Sequence, residues 1–175
     1  MNKKVKNMLY CSLFACLMAI LAQLQISLPT LVPITMQTLG VYIIGAVLKP
    51  KLALISTLVY VLMGAIGLPV FGGFSGGIAS LLGPSGGFIF SFPIMALSIS
   101  LIISRQKSIL AQIIAMIIGT AVCYFIGTLW FMYVTDAHLI SALTMCVIPF
   151  LPGDTLKIII ALIISNRLTK KIAND

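Results

Sequence analysis

The sequence predicts an all-α integral membrane protein of six transmembrane helices, with both termini cytoplasmic and residues 1–175 forming one membrane domain. Three observations predict this. First, apolar residues make up 61% of the chain and charged residues 8%, with a mean hydropathy of +1.19. A soluble domain has about 25% charged residues, and so few cannot cover a soluble surface of this size. Second, residues 7–48, 52–104 and 108–135 contain no Asp, Glu, Lys or Arg, whereas one membrane span needs about 20 residues. Third, the basic residues fall in short clusters between the apolar runs. These features exclude a soluble enzyme and a disordered regulator. The net charge of +8 forms no basic face with interleaved aromatics, so no nucleic-acid partner is expected.

The first span is placed at 8–26, after Lys3, Lys4 and Lys6. Leu13-Phe14-Ala15-Cys16 resembles a lipoprotein cleavage box. The apolar run continues past it to Ile26, and removing it would break the charge alternation, so retention is expected. A loop, Leu28-Pro29-Thr30-Leu31-Val32-Pro33, follows, in which the prolines oppose helix. The second span is 36–48, with Gln37 at its entrance. That segment is either a helix entry capped by Thr35 or a ligand contact. Lys49 and Lys51 separate it from the third span, 52–67. Both spans are short, which is tolerated where protein covers the end or it lines a cavity.

Nine of the fourteen glycines fall between Gly64 and Gly87. Glycine permits close backbone approach, and Phe71 and Phe74 give this segment apolar surface to bury. A packed extracellular lid between the third and fourth spans is expected rather than a bare linker. It lacks Gly-Lys-Ser/Thr and is no P-loop. The fourth span is 87–104, followed by Arg105 and Lys107; the fifth is 109–133. Asp136 and His138 are expected in a short solvated outward loop, without partners for a triad or metal site. Cys11, Cys16, Cys123 and Cys146 sit in apolar runs with no CxxC and read as small buried residues. The sixth span is 147–166, before Arg167, Lys170 and Lys171. Ten of the eleven basic residues thus mark one side, the cytoplasm by the positive-inside rule.

The eleventh is Lys157. Pro152 and Gly153 precede Asp154 in the first turn of the last span, and Lys157 follows at i+3 on the same face. A charge at membrane depth costs ~2.5–3.5 kcal/mol. Either the two residues neutralise each other and fix the bundle, or they form a site for a polar small molecule. As a site they offer an acceptor and a donor to a head group displaying N–H and C=O, or Lys157 holds a carboxylate.

Five segments then carry a resemblance. They are Val32-Pro33-Ile34-Thr35-Met36-Gln37-Thr38, Gly67-Leu68-Pro69-Val70-Phe71, Gly83-Pro84-Ser85-Gly86-Gly87, Gly127-Thr128-Leu129-Trp130, and Pro149-Phe150-Leu151-Pro152-Gly153-Asp154 with Lys157. In this order they resemble the BioY family, the biotin-specific S component of energy-coupling factor (ECF) transporters, over roughly residues 13–165. The resemblance implies a non-enzymatic, multi-pass subunit of a prokaryotic cell membrane that binds biotin from outside. It implies as partners a transmembrane coupling protein and two ATPases, which use the ATP; no cofactor is implied. Asp154 would accept from a ureido N–H and Lys157 donate to the ureido C=O. Gln37, Phe71, Gly73 and Phe74 would complete the pocket. Ser75, Ser80, Ser85 and backbone N–H groups would face the carboxylate, unless Lys157 takes it. The basic or amide side chain that the family often places near this loop is missing here. Ala15 and Ala19 would form the docking surface for the coupling protein, small residues four apart permitting close helix approach. The alternatives are an S component for thiamine or riboflavin, a structural subunit, and an intramembrane enzyme using Asp154 and His138, for which one carboxylate and a remote histidine are poor machinery.

Overall fold

Helix α1 (Lys3–Gln23) starts where the Asn2 side chain accepts from Lys4 N at 3.2 Å. It belongs to a computed structural model that describes residues 2–26, 31–106 and 108–174. Leu28, Pro29 and Thr30 of the first loop, Lys107, and the side chains of Lys170 and Lys171 lie outside the described residues. The helix ends at Gln23, three residues short of the expected Ile26. There the chain turns into β1 (Gln25–Ile26), which pairs antiparallel with β2 (Ile34–Thr35), Gln25 opposite Thr35. Met36 N donates to Leu24 O at 2.9 Å and closes this hairpin.

Helix α2 (Gln37–Val47) is buried on nearly every side, as an evenly apolar helix must be. It packs against α1, α3 (Pro50–Ala65), α5 (Gly86–Arg105) and α8 (Leu151–Asn174). Pro50 occupies the first position of α3, where its missing N–H has no helical partner to lose. The glycine-rich segment is ordered. Phe71 and Ser75 bridge across a 3₁₀ turn, Gly72–Phe74, and a short helix α4 (Ile78–Leu82) follows. Helix α5 lies along α6 (Ile109–Thr135). Ser108 caps α6 by accepting from Ala111 N at 3.1 Å, and Asp136 ends it in a left-handed conformation.

The segment after α6 corrects the expectation of a short loop. Leu139–Cys146 forms α7, and α8 opens at Leu151 rather than 147. The reason is packing: Ala142 and Cys146 are fully buried with Phe131 and Val32 in a second small apolar cluster. Among the described residues, α1, α5 and α6 are each long and apolar enough to cross a membrane. Leu139–Cys146 and Leu151–Thr169 reach that length together across a 46° bend. Helices α2 and α3 are apolar but have 11 and 16 residues, about 16 and 24 Å at 1.5 Å per residue, against a hydrocarbon core of about 30 Å.

Candidate functional site

The entrance of α2, the first turn of α8, the middle of α6, the start of α5 and the glycine-rich loop line one partly open cavity, small in this structure at about 80 Å³. Asp154 and Lys157 stand in its wall, each 3% exposed. Lys157 Nζ lies 2.8 Å from Asp154 Oδ1. The Thr38 hydroxyl closes a ring, accepting from Lys157 Nζ at 2.9 Å and donating to Asp154 Oδ1 at 3.0 Å. From α6, Tyr124 donates to Asp154 Oδ2 at 2.6 Å. A buried ion pair is tolerable when further hydrogen bonds satisfy it, and these provide them. An ammonium has three donors and a carboxylate about four acceptor sites. One donor on Lys157 and a lone pair on Asp154 Oδ2 therefore remain unused by these bonds.

Gln37 supports the same wall. Its Oε1 accepts from Thr35 Oγ1 at 2.8 Å, its Nε2 donates to the Tyr60 hydroxyl, and that hydroxyl donates to Val70 O at 3.1 Å. Thr35 Oγ1 also accepts from Gln37 N at 3.3 Å, although the N-cap residue of α2 is Met36. Gln37 is thus held at both ends of its amide while lining the cavity. Aromatic rings of Phe71, Phe88, Phe92 and Phe150 supply the apolar walls.

Of the residues singled out from sequence, Asp154, Lys157, Gln37, Phe71, Ser75 and Ser85 line this one cavity. Gly73 and Phe74 do not. The Gln23 amide donates to Phe71 O at 3.1 Å and accepts from Phe74 N at 2.8 Å. The turn held this way sends Phe71 inward and leaves Phe74 73% exposed, with φ +56°. Ala15 lies apart from the cavity: it is 1% exposed inside the main core, with Ala19 packed partly against that core. Asp136 and His138 are exposed, and no cluster of metal-ligating side chains occurs among the described residues. Sequence reasoning passed over Tyr124 and left Thr38 unassigned, although Thr38 stands one residue after Gln37. Cys123, buried with Ser91 Oγ at 3.0 Å from its sulfur, is a further lining residue.

Comparison with known proteins agrees over nearly the whole chain. The profile of the BioY family matches residues 1–174. A "Probable biotin transporter BioY" of Pyrococcus horikoshii is 39% identical over 165 residues, covering 94% of this chain and 97% of that protein. The "Biotin transporter BioY2" of Lactococcus lactis subsp. cremoris is 36% identical over 175 residues, covering 99% and 95%. A crystal structure of the S-component for biotin from an ECF-type ABC transporter superposes with a TM-score of 0.90 at 31% identity, covering 97% of this chain and 95% of that one.

Proposed function

The chain belongs to the BioY family, and from that premise we infer that it is the membrane subunit that binds biotin for uptake by an ECF transporter. It is a transport component and not an enzyme, as its relatives are transporters. The observation that carries the ligand assignment is the buried Asp154–Lys157 pair, which presents one acceptor and one donor into an otherwise uncharged cavity. A ureido ring displays N–H and C=O groups, the donor and acceptor that such a pair can meet. Asp154 accepts from the N–H, Lys157 donates to the C=O, and the sulfur ring packs among Phe71, Phe88 and Phe92.

The same reading completes the topology. Helices α1, α2, α3, α5, α6 and the bent α7–α8 pair make six crossings. The short α2 and α3 are accommodated because they end at protein-covered loops and the cavity. Lys3, Lys4, Lys6, Lys49, Lys51, Arg105 and Arg167 then mark the cytoplasmic side of a prokaryotic cell membrane, and the glycine-rich loop forms the outer lid. A transmembrane coupling protein and two ATPases supply the energy, because no Walker A motif exists in this chain; the subunit needs no cofactor of its own. Partner contact opens the site inward by favouring the open state.

Equilibrium binding to the detergent-purified chain tests the assignment. Biotin is expected to bind, and Lys157→Ala and Asp154→Asn to abolish binding while folded protein is recovered. Binding of thiamine or riboflavin in place of biotin would overturn it.

A further inference from the structure

The cavity meets one end of its ligand with charged groups and the other end with none. Among the described residues of its lining, Asp154 and Lys157 alone are charged, and they neutralise each other at 2.8 Å in its buried wall. The glycine-rich segment, the rim in this reading, contributes Ser75, Ser80 and Ser85 to the lining. Ser75 Oγ donates to Gly72 O and Ser80 Oγ to Gly76 O, both at 2.9 Å, so these two hydroxyl protons are committed to the loop itself. No Lys, Arg or His occurs anywhere in residues 52–104, which include the loop and nearly all of α5, nor in residues 27–36 of the hairpin, whether described or not.

With the ureido ring at Asp154 and Lys157, the tail carboxylate of biotin reaches a rim that offers it no ion pair. Its charge stays in water, which solvates it in the free ligand equally well. A group that keeps its hydration on binding contributes little to affinity, and masking it removes little. We propose that this subunit does not read the charge of the ligand's tail, and that its ligands include biotin derivatives with the carboxyl masked as an amide or ester. The proposal rests on the biotin assignment and adds the orientation of the ligand and its substrate class.

The test is competition against labelled biotin on the purified full chain by biotin, its primary amide, its methyl ester and 2-iminobiotin, which is altered in the ureido ring. The amide and ester are expected to compete within about fivefold of biotin, the scale of one neutral hydrogen bond, and 2-iminobiotin to be weaker than both. An amide and ester weaker than biotin by more than about tenfold would overturn the proposal, because loss of an ion pair to Lys157 would cost at least that much. Ser75→Lys supplies a second readout: a cation at the rim should favour biotin over its amide at low salt and lose that preference at high salt. An unchanged ratio in a variant that still binds biotin would place the tail elsewhere and also overturn it. Failure of biotin itself to bind the unaltered chain would remove the biotin assignment, and this inference with it.

Discussion

The hydroxyl of Tyr124 donates to Asp154 Oδ2 at 2.6 Å, on the side of the carboxylate that Lys157 and Thr38 leave free. Asp154 is thereby aimed by three elements, α2, α6 and its own helix α8. A hydrogen bond to a charged group contributes about 1.5–3 kcal/mol, so Tyr124→Phe should weaken biotin binding by about tenfold or more. The ring and its packing are retained, so the thermal midpoint should fall only slightly. Calorimetric titration beside a melting curve separates the two effects; unchanged affinity would take Tyr124 out of the site.

The ion pair separates a structural from a functional role through a double variant. Removing one partner of a buried pair leaves an uncompensated charge and costs about 3–5 kcal/mol. Lys157→Met and Asp154→Leu should each lower the melting temperature strongly. Combined, they leave no buried charge, and stability should return towards that of the unaltered protein. Biotin binding should remain absent in the double variant. A double variant that still binds would reduce the pair to a bundle-fixing device.

That pair was legible in the sequence because two charges inside an apolar stretch stand out from everything around them. Tyr124 was not. A tyrosine does not interrupt an apolar run, and five are spread through the chain; which one faces Asp154 depends on the rotation of α6 against α8. Phe71 and Phe74 looked equivalent as loop aromatics, and tertiary contacts, the Gln23 amide and the Gly64 and Tyr60 surface of α3 among them, set Phe71 inward. Ala15 and Ala19 indicate that a helix approaches closely, but not whether it belongs to a partner or to the same chain; here Ala15 is covered by its own fold. Helix α7 is eight residues long, too short for its periodicity to stand out from the apolar span beside it.

Gly64 is where the glycine-rich segment is locked to α3. A Cβ built there would stand 2.0 Å from Phe71 Cζ, and the Phe71 ring also meets Tyr60 edge-on with centroids 5.6 Å apart. Overpacking of this kind costs about 1–3 kcal/mol. Gly64→Ala should therefore lower stability and weaken binding, as the ring is driven from the cavity wall. Adding Phe71→Leu should recover part of the stability, because the smaller side chain vacates the clashing volume. A Gly64→Ala protein with unaltered melting and affinity would show that the contact is not required.

Gln23 ties the glycine-rich loop to the end of α1 through both ends of its amide, at Phe71 O and Phe74 N, while Nε2 also reaches Ala19 O at 3.1 Å. Each neutral bond is worth about 0.5–1.5 kcal/mol net, so losing both should raise the rate of loop opening by about tenfold. In Gln23→Ala, biotin release measured by chase should accelerate by about that factor, with association little changed, because the cavity wall itself is untouched. Gln23→Glu keeps the acceptor for Phe74 N but loses the donor to Phe71 O, and should fall between the two. Hydrogen exchange at the Phe74 amide, followed without biotin, should rise in the same order. Faster exchange with an unchanged release rate would mean that this loop does not gate the ligand.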